Sequence, residues 1–166
     1  PVLEGPVRAV TFFGSSLWAA LAVVALGIWT WRRRGATALR VRVVALAAAM
    51  ILEVILRYSV SAWRPDAVGV SEGMDWVTRF RLAGYPSGHA FRSAFVFGWM
   101  LQELSGWRSL WAQVGRCCGW LMIGLVGFSR LYLNRHWASD VVGSWLVVLV
   151  VMAIARCWEE RRSLQR

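Results

Sequence analysis

The chain has 166 residues, of which 58% are hydrophobic, and a formal charge of +10 carried by arginine without a single lysine. The length suits one domain or a small helical bundle, and the hydrophobic fraction is too high for an ordinary soluble domain of that size. Such a charge would suggest nucleic acid in a soluble protein, but no basic stripe lies on a soluble module, so nucleic acid is not an expected partner.

The first apolar run extends from about Thr11 to Trp31 and is followed by Arg32, Arg33, Arg34, Arg40 and Arg42. It is too long for a cleavable signal peptide and lacks the basic flank before it. The second run, about Val41 to Val60, ends in Arg57 and is followed by Arg64-Pro65. The link from Ser61 to Gly84 is polar at Asp66, Glu72 and Asp75 and apolar at Met74, Trp76, Val77 and Phe80. It reads either as an amphipathic helix in the membrane interface, placed as a lid or substrate gate, or as a plain connection. The third run, about Ser87 to Leu104, opens with Tyr85-Pro86-Ser87-Gly88-His89. The fourth spans about Cys117 to Leu133 and the fifth about Ala138 to Trp158, with two arginines, a histidine and an aspartate packed between Ser129 and Asp140.

Each run is near the ~20 residues a helix needs to cross a ~30 Å hydrocarbon core. The runs are continuous rather than alternating, which favours helices over barrel strands. The expected fold is all-α, a polytopic membrane helix bundle of about five transmembrane helices, forming one domain over residues 1–166. Five spans put the arginines after the first run, Arg108 and Arg116, and the tail Arg161, Arg162 and Arg166 on one side, which the positive-inside rule assigns to the cytoplasm. Trp29, Trp31, Trp63, Trp76, Trp107, Trp111, Trp137 and Trp158 fall near span ends as an aromatic belt, while Trp18, Trp120 and Trp145 lie deeper, as packing residues. Cys117, Cys118 and Cys157 have no metal-ligand spacing and read as small buried hydrophobes.

The same topology brings Arg57, Arg64, His89, Arg130, His136 and Asp140 to the opposite, non-cytoplasmic face. Ionisable residues at a membrane boundary are costly and point to function. Arg57, Arg64 and Arg130 offer planar donor forks that match phosphate oxygens. Pro86-Ser87-Gly88-His89 reads as a turn into a helix N-terminus, whose free N–H groups suit an anion, and Gly88 permits close backbone approach. His136 and Asp140, four apart, share a helix face. Asp140 can accept a proton from one imidazole nitrogen and leave the other as a nucleophile. A His–Asp pair that only caps the fifth helix is the alternative.

Arg57, six residues, Arg64-Pro65; then Pro86-Ser87-Gly88-His89; then Ser129-Arg130, five residues, His136, three residues, Asp140: together these resemble the three-part signature of the type 2 phosphatidic acid phosphatase superfamily. The resemblance covers residues 57–140. It implies that His136 is the nucleophile and forms a phosphohistidine, that Asp140 orients it, and that His89 protonates the leaving oxygen and then helps activate water. It further implies that Arg57, Arg64, Arg130, Ser87 and the Gly88 amide hold the phosphoryl oxygens, without metal or other cofactor. The family usually has Lys at Arg57, and its membrane members typically have six spans; a sixth is either absent here or precedes Pro1. Glu53 is placed to pair with Arg57, and Arg92 to make an extra phosphate or headgroup contact.

The implied partners are membrane lipids and a lipid phosphate: phosphatidic acid, phosphatidylglycerol phosphate, a polyprenyl phosphate or diphosphate, or a lipid A phosphate. The implied location is a bacterial inner membrane with the site facing outward. Two other readings stay open: a phosphotransferase to a lipid or sugar hydroxyl through the same intermediate, and a non-catalytic lipid-binding subunit.

Overall fold

The computed structural model describes residues 3–60, 62–65, 77–78 and 82–164. Among the described residues five named α-helices follow one another: α1 (Glu4–Thr11), α2 (Ser16–Ser59), α3 (Gly88–Leu104), α4 (Leu110–Tyr132) and α5 (Ala138–Leu164), with a 3₁₀ turn at Phe12–Gly14 between the first two. The described residues hold no strand beyond an isolated antiparallel bridge between Trp63 and Ala83. The expected all-α fold is therefore the one observed. Most of the Ser61–Gly84 link lies outside the described residues, and with it the lid or gate.

The helix ends follow local chemistry. The Ser15 hydroxyl accepts from the Trp18 N–H and starts α2, and Ser109 does the same for α4 through Ala112, as N-cap residues do. That cap starts α4 seven residues before the expected Cys117. The first two apolar runs form a single 44-residue helix broken at Gly35, which adopts φ 81° and ψ 179°. Only glycine takes that backbone readily, so Gly35 folds α2 into two arms, residues 16–34 and 36–59, without a loop. Short α1 was not expected as a helix; Glu4 and Arg8, one turn apart, pair along it.

Two segments, Leu110–Tyr132 and Ala138–Arg162, are long and apolar enough to cross a membrane by length and composition alone. The outward faces of the bundle carry large apolar side chains: Trp111 is 82% exposed, Leu17 66% and Ile154 63%. Lipid tails are as apolar as leucine, so helix contacts in such a setting rest on close approach and polar links. Ala45 and Ala49 are buried where the second arm of α2 meets the core around Phe91, Phe95 and Trp99. At Gly127 any side chain would collide with Trp145 and Val141 of α5. Trp99, 1% exposed, donates to the Thr30 hydroxyl, which donates to Glu103.

Around Glu103 the Gly35 bend, the end of α3 and the end of α5 converge. Arg34 and Arg42 lie 3.1 and 3.0 Å from Glu159, and Glu103 is within 4 Å of both. Arg42, read from sequence as one of the arginines of a cytoplasmic loop, is in fact buried in this cluster. Trp18 stacks on Phe97, as a packing residue should, but Trp120 is 64% exposed, and the three cysteines are free and exposed. Apolar periodicity in those runs did not separate the core face from the lipid-side face.

Candidate active site

The opposite end of the bundle gathers the three sequence motifs. Asn134, at φ 53°, ends α4 in the left-handed conformation that asparagine tolerates, and the Arg135 N–H returns to the Arg130 carbonyl at 3.0 Å. This turn carries the chain from Arg130 to His136 and into α5. The Trp137 N–H donates to Asp140 Oδ2 at 2.9 Å, so Asp140 closes the first turn of α5, where a carboxylate also suits the helix dipole.

His136 is 4% exposed. Its Nδ1 lies 2.8 Å from the Gly84 carbonyl and 3.5 Å from Asp140 Oδ2. A carbonyl can only accept, so Nδ1 carries the proton and Nε2 of the neutral ring keeps its lone pair. The expected contact of Asp140 with the ring is present but longer; the shorter bond goes to a backbone oxygen that no side-chain pattern announces. Burial pushes the His136 pKa below the ordinary imidazole value. The Asp140 carboxylate opposes that shift, and Arg64 and Arg130 add to it.

Ser87 caps α3 at the start of the Gly88–Leu104 helix, as the turn motif required. Its N–H donates to the Asp140 carbonyl at 3.3 Å, and the buried Ser144 hydroxyl donates to the Asp140 carbonyl at 2.6 Å and to the Ser87 carbonyl at 3.3 Å. These bonds fix the turn against α5. The Ser87 side chain is fully buried, yet its Oγ has no hydrogen-bond partner among the described residues. A buried hydroxyl without a partner is costly and marks a place built for something else. His89 follows in the first turn of α3 and is half-buried.

The arginines converge from four directions. Arg57 Nη2 donates to the Pro86 carbonyl at 3.2 Å and to Glu53 Oε1 at 3.0 Å. Arg64 Nε donates to the Ala83 carbonyl at 3.4 Å, on a stretch held by the Gly84 N–H to Ala62 bond and by the Trp137 indole on the Trp63 carbonyl. Arg130 Nη1 donates to the Thr11 hydroxyl at 2.9 Å, and Arg92 Nε to the Gly14 carbonyl at 3.1 Å. The expected pairing of Glu53 with Arg57 is present, and Glu53 also lies 3.8 Å from Arg92. A Cβ on Gly88 would stand 2.9 Å from Glu53 Oε1 and 3.3 Å from Arg57 Nη2, so the bare backbone faces this cluster.

All eight residues singled out from sequence, Arg57, Arg64, Ser87, Gly88, His89, Arg130, His136 and Asp140, thus lie at one end of the bundle, and hydrogen bonds tie Ser87 to Asp140 and Arg57 to the Pro86 carbonyl. Sequence reasoning missed Thr11, Gly14, Gly84 and Ser144. Gly84 and Gly14 act through main-chain carbonyls, and a glycine is their only trace. Ser144 could have been found: it lies one turn after Asp140 on the same helix face. Among the described residues no three His, Cys, Asp or Glu side chains group as metal ligands.

The arrangement is a cluster of arginines around a buried histidine whose Nδ1 is hydrogen-bonded to a backbone carbonyl, at the end of a helical bundle. The family model described as PAP2 superfamily matches residues 38–164, and the chain belongs to that superfamily. It is 33% identical over 95 residues, 57% of its length, to a lipid A 1-phosphatase of Porphyromonas gingivalis, and the match covers 18% of that protein. Its fold is similar to that of a transmembrane PAP2-type phosphatidylglycerolphosphate phosphatase from Bacillus subtilis: TM-score 0.74 at 20% identity, over 97% of this chain and 78% of the other.

Proposed function

We propose that this chain is a membrane lipid phosphatase that hydrolyses a phosphomonoester, or a terminal diphosphate, of a lipid through a phosphohistidine. The observation that carries the reading is His136: Nδ1 is committed to the Gly84 carbonyl, leaving Nε2 as the nucleophile among the arginines. Membership of the superfamily and the names of the two relatives support a lipid phosphate as substrate.

Arg57, Arg64, Arg130, the Ser87 hydroxyl and the Gly88 amide bind the phosphoryl oxygens and take up charge that builds on them. Nε2 attacks phosphorus as the bond to the lipid oxygen breaks, and His89 delivers a proton to that oxygen, releasing the lipid alcohol. Water then attacks the phosphohistidine, passing its proton to His89, and the N–P bond breaks to free inorganic phosphate. Metal takes no part in either step. The arginine distribution supports a site on the extracytoplasmic side of a bacterial inner membrane.

A phosphate-release panel over phosphatidic acid, phosphatidylglycerol phosphate, a polyprenyl diphosphate and lipid A tests the reading, with His136→Ala as control. Release from at least one lipid, lost in the variant, is expected. Undiminished release from His136→Ala would overturn the mechanism, and lipid or sugar phosphate products in place of free phosphate would make the protein a transferase.

A further inference from the structure

Two apolar hollows open on the sides of the bundle. One, of about 480 Å³, lies between α3, α4 and α5, and its polar lining, Gln102, Ser105, Arg116 and Arg156, sits at the end away from His136. The other, of about 430 Å³, lies between the two arms of α2 and α3, and includes Glu53 and Arg92. Glu53 contacts Arg57 and faces the bare backbone of Gly88, and Arg92 reaches the Gly14 carbonyl. This second hollow therefore runs from the apolar flank of the bundle to Glu53 and Arg92, and Glu53 stands 3.0 Å from Arg57.

Its shape comes from small residues. Ala19, 6% exposed, and Ala49, fully buried, form its floor where longer side chains would fill it. Val24 and Met50, 61% and 58% exposed, stand at its rim with Ala20. The volume is within the range of small-ligand sites, about 300–1,000 Å³.

We infer that this hollow receives one hydrocarbon chain of the substrate while its phosphate lies among Arg57, Arg64 and Arg130. The inference rests on the lipid phosphatase reading and adds the route by which the lipid is held. A chain already in lipid gains little from leaving other chains, because lipid is as apolar as the walls. Its placement in the hollow therefore serves to orient, restricting the angle at which phosphorus meets Nε2. Interactions with remote parts of a substrate used in this way show in kcat as well as KM, so shortening the chain slows turnover.

The test uses the full chain in mixed micelles, with dipalmitoyl and dioctanoyl phosphatidic acid at matched surface concentration and a water-soluble phosphomonoester as third substrate. Ala20→Trp and Val24→Trp each block the hollow from its exposed rim, and Leu149→Trp fills the other hollow. The unaltered protein should favour the long chain by on the order of tenfold in kcat/KM. Both rim variants should erase that preference and keep the soluble-substrate rate, and Leu149→Trp should behave as the parent. Unchanged preference in both rim variants, or an equal fall on all three substrates in both, overturns the inference. Phosphate release from no substrate by the parent overturns the phosphatase reading itself, and the hollow's role with it.

Discussion

Asp140→Asn separates two ways of building a histidine nucleophile. In enzymes where a carboxylate alone sets the tautomer of the catalytic imidazole, replacing it by the amide lowers kcat by about 10⁴-fold, because the ring then protonates on the wrong nitrogen. Here the shorter Nδ1 contact is the Gly84 carbonyl at 2.8 Å, and Asp140 stands at 3.5 Å. The carbonyl survives the substitution and still demands a proton on Nδ1. The variant loses only a longer electrostatic contact, and its Oδ1 can still accept from the Trp137 N–H. A fall in kcat of about 10- to 100-fold follows, equivalent to about 1.4–2.7 kcal/mol of barrier.

The pH profile carries a second signature of the same change. The Asp140 carboxylate raises the His136 pKa against the effect of burial, Arg64 and Arg130. Removing it lowers that pKa further, so the neutral nucleophile persists to more acidic pH. The acid limb of kcat/KM, which reports the free enzyme, moves to lower pH in the variant while the maximum falls. The assay is phosphate release from the best lipid of the panel across the acid range, for parent and variant. A drop of 10⁴-fold, or an acid limb moved to higher pH, would refute the assignment of the tautomer to Gly84.

The other expectations are read just as directly. Gly14→Ala puts a Cβ 2.8 Å from His89 Cβ and 2.9 Å from its carbonyl; turnover should fall at least tenfold with a stability loss of about 1–3 kcal/mol in a detergent melt, and an unchanged melt and rate would show the fit to be loose. Ser87→Ala removes a buried hydroxyl that has no partner among the described residues, so the melt should hold or rise by about 1 kcal/mol while kcat/KM drops about tenfold, and a fall in both would make Ser87 structural. Activity should persist in excess chelator and be inhibited by vanadate, a mimic of the five-coordinate transition state; loss in chelator alone would count against the metal-free steps. With the exposed Cys117, Cys118 and Cys157 replaced, Ser71→Cys should react with an impermeant maleimide in intact cells, and labelling only after permeabilisation would reverse the orientation.

Most of the site was legible because its side chains are chemically unusual where they stand. Two histidines in 166 residues, each at the head of an apolar run, and arginines at run ends without lysine stand out from the rest of the chain. The all-α class and the helices of the third, fourth and fifth runs were legible from apolar run length, whereas the first two runs proved to be one bent helix and α1 was not foreseen. What escaped was carried by groups without a side-chain signature. Gly84 and Gly14 act through carbonyls, and α1 has an ordinary composition yet brings Thr11 to Arg130. The bend at Gly35 escaped because a run of arginines reads as a loop whether or not the helix continues past it. Trp120 escaped because an aromatic in mid-run suits a lipid-facing surface as well as a core.

The two ends of the bundle use the same residue types differently, and the contrast separates structure from function. At the far end Arg34 and Arg42 meet Glu103 and Glu159, two charges against two, and Thr30 and Trp99 extend the hydrogen bonding from Glu103, while Arg42 Nε and Nη1 have no hydrogen-bond partner among the described residues. Arg116 there is absorbed by the Leu104 and Trp107 carbonyls, and Arg33 by the faces of Trp29 and Trp107. Buried charge persists when it is matched in this way. At the His136 end Arg57 and Arg92 share Glu53, Arg64 and Arg130 donate to the Ala83 carbonyl and the Thr11 hydroxyl, and Asp140 is engaged by the Trp137 N–H. Beside them the buried Ser87 hydroxyl, at the N-terminus of α3, has no hydrogen-bond partner among the described residues. On the proposed reading a phosphoryl group accepts from that hydroxyl and from the helix N-terminus at once, so the group least satisfied within the fold is the one assigned to substrate.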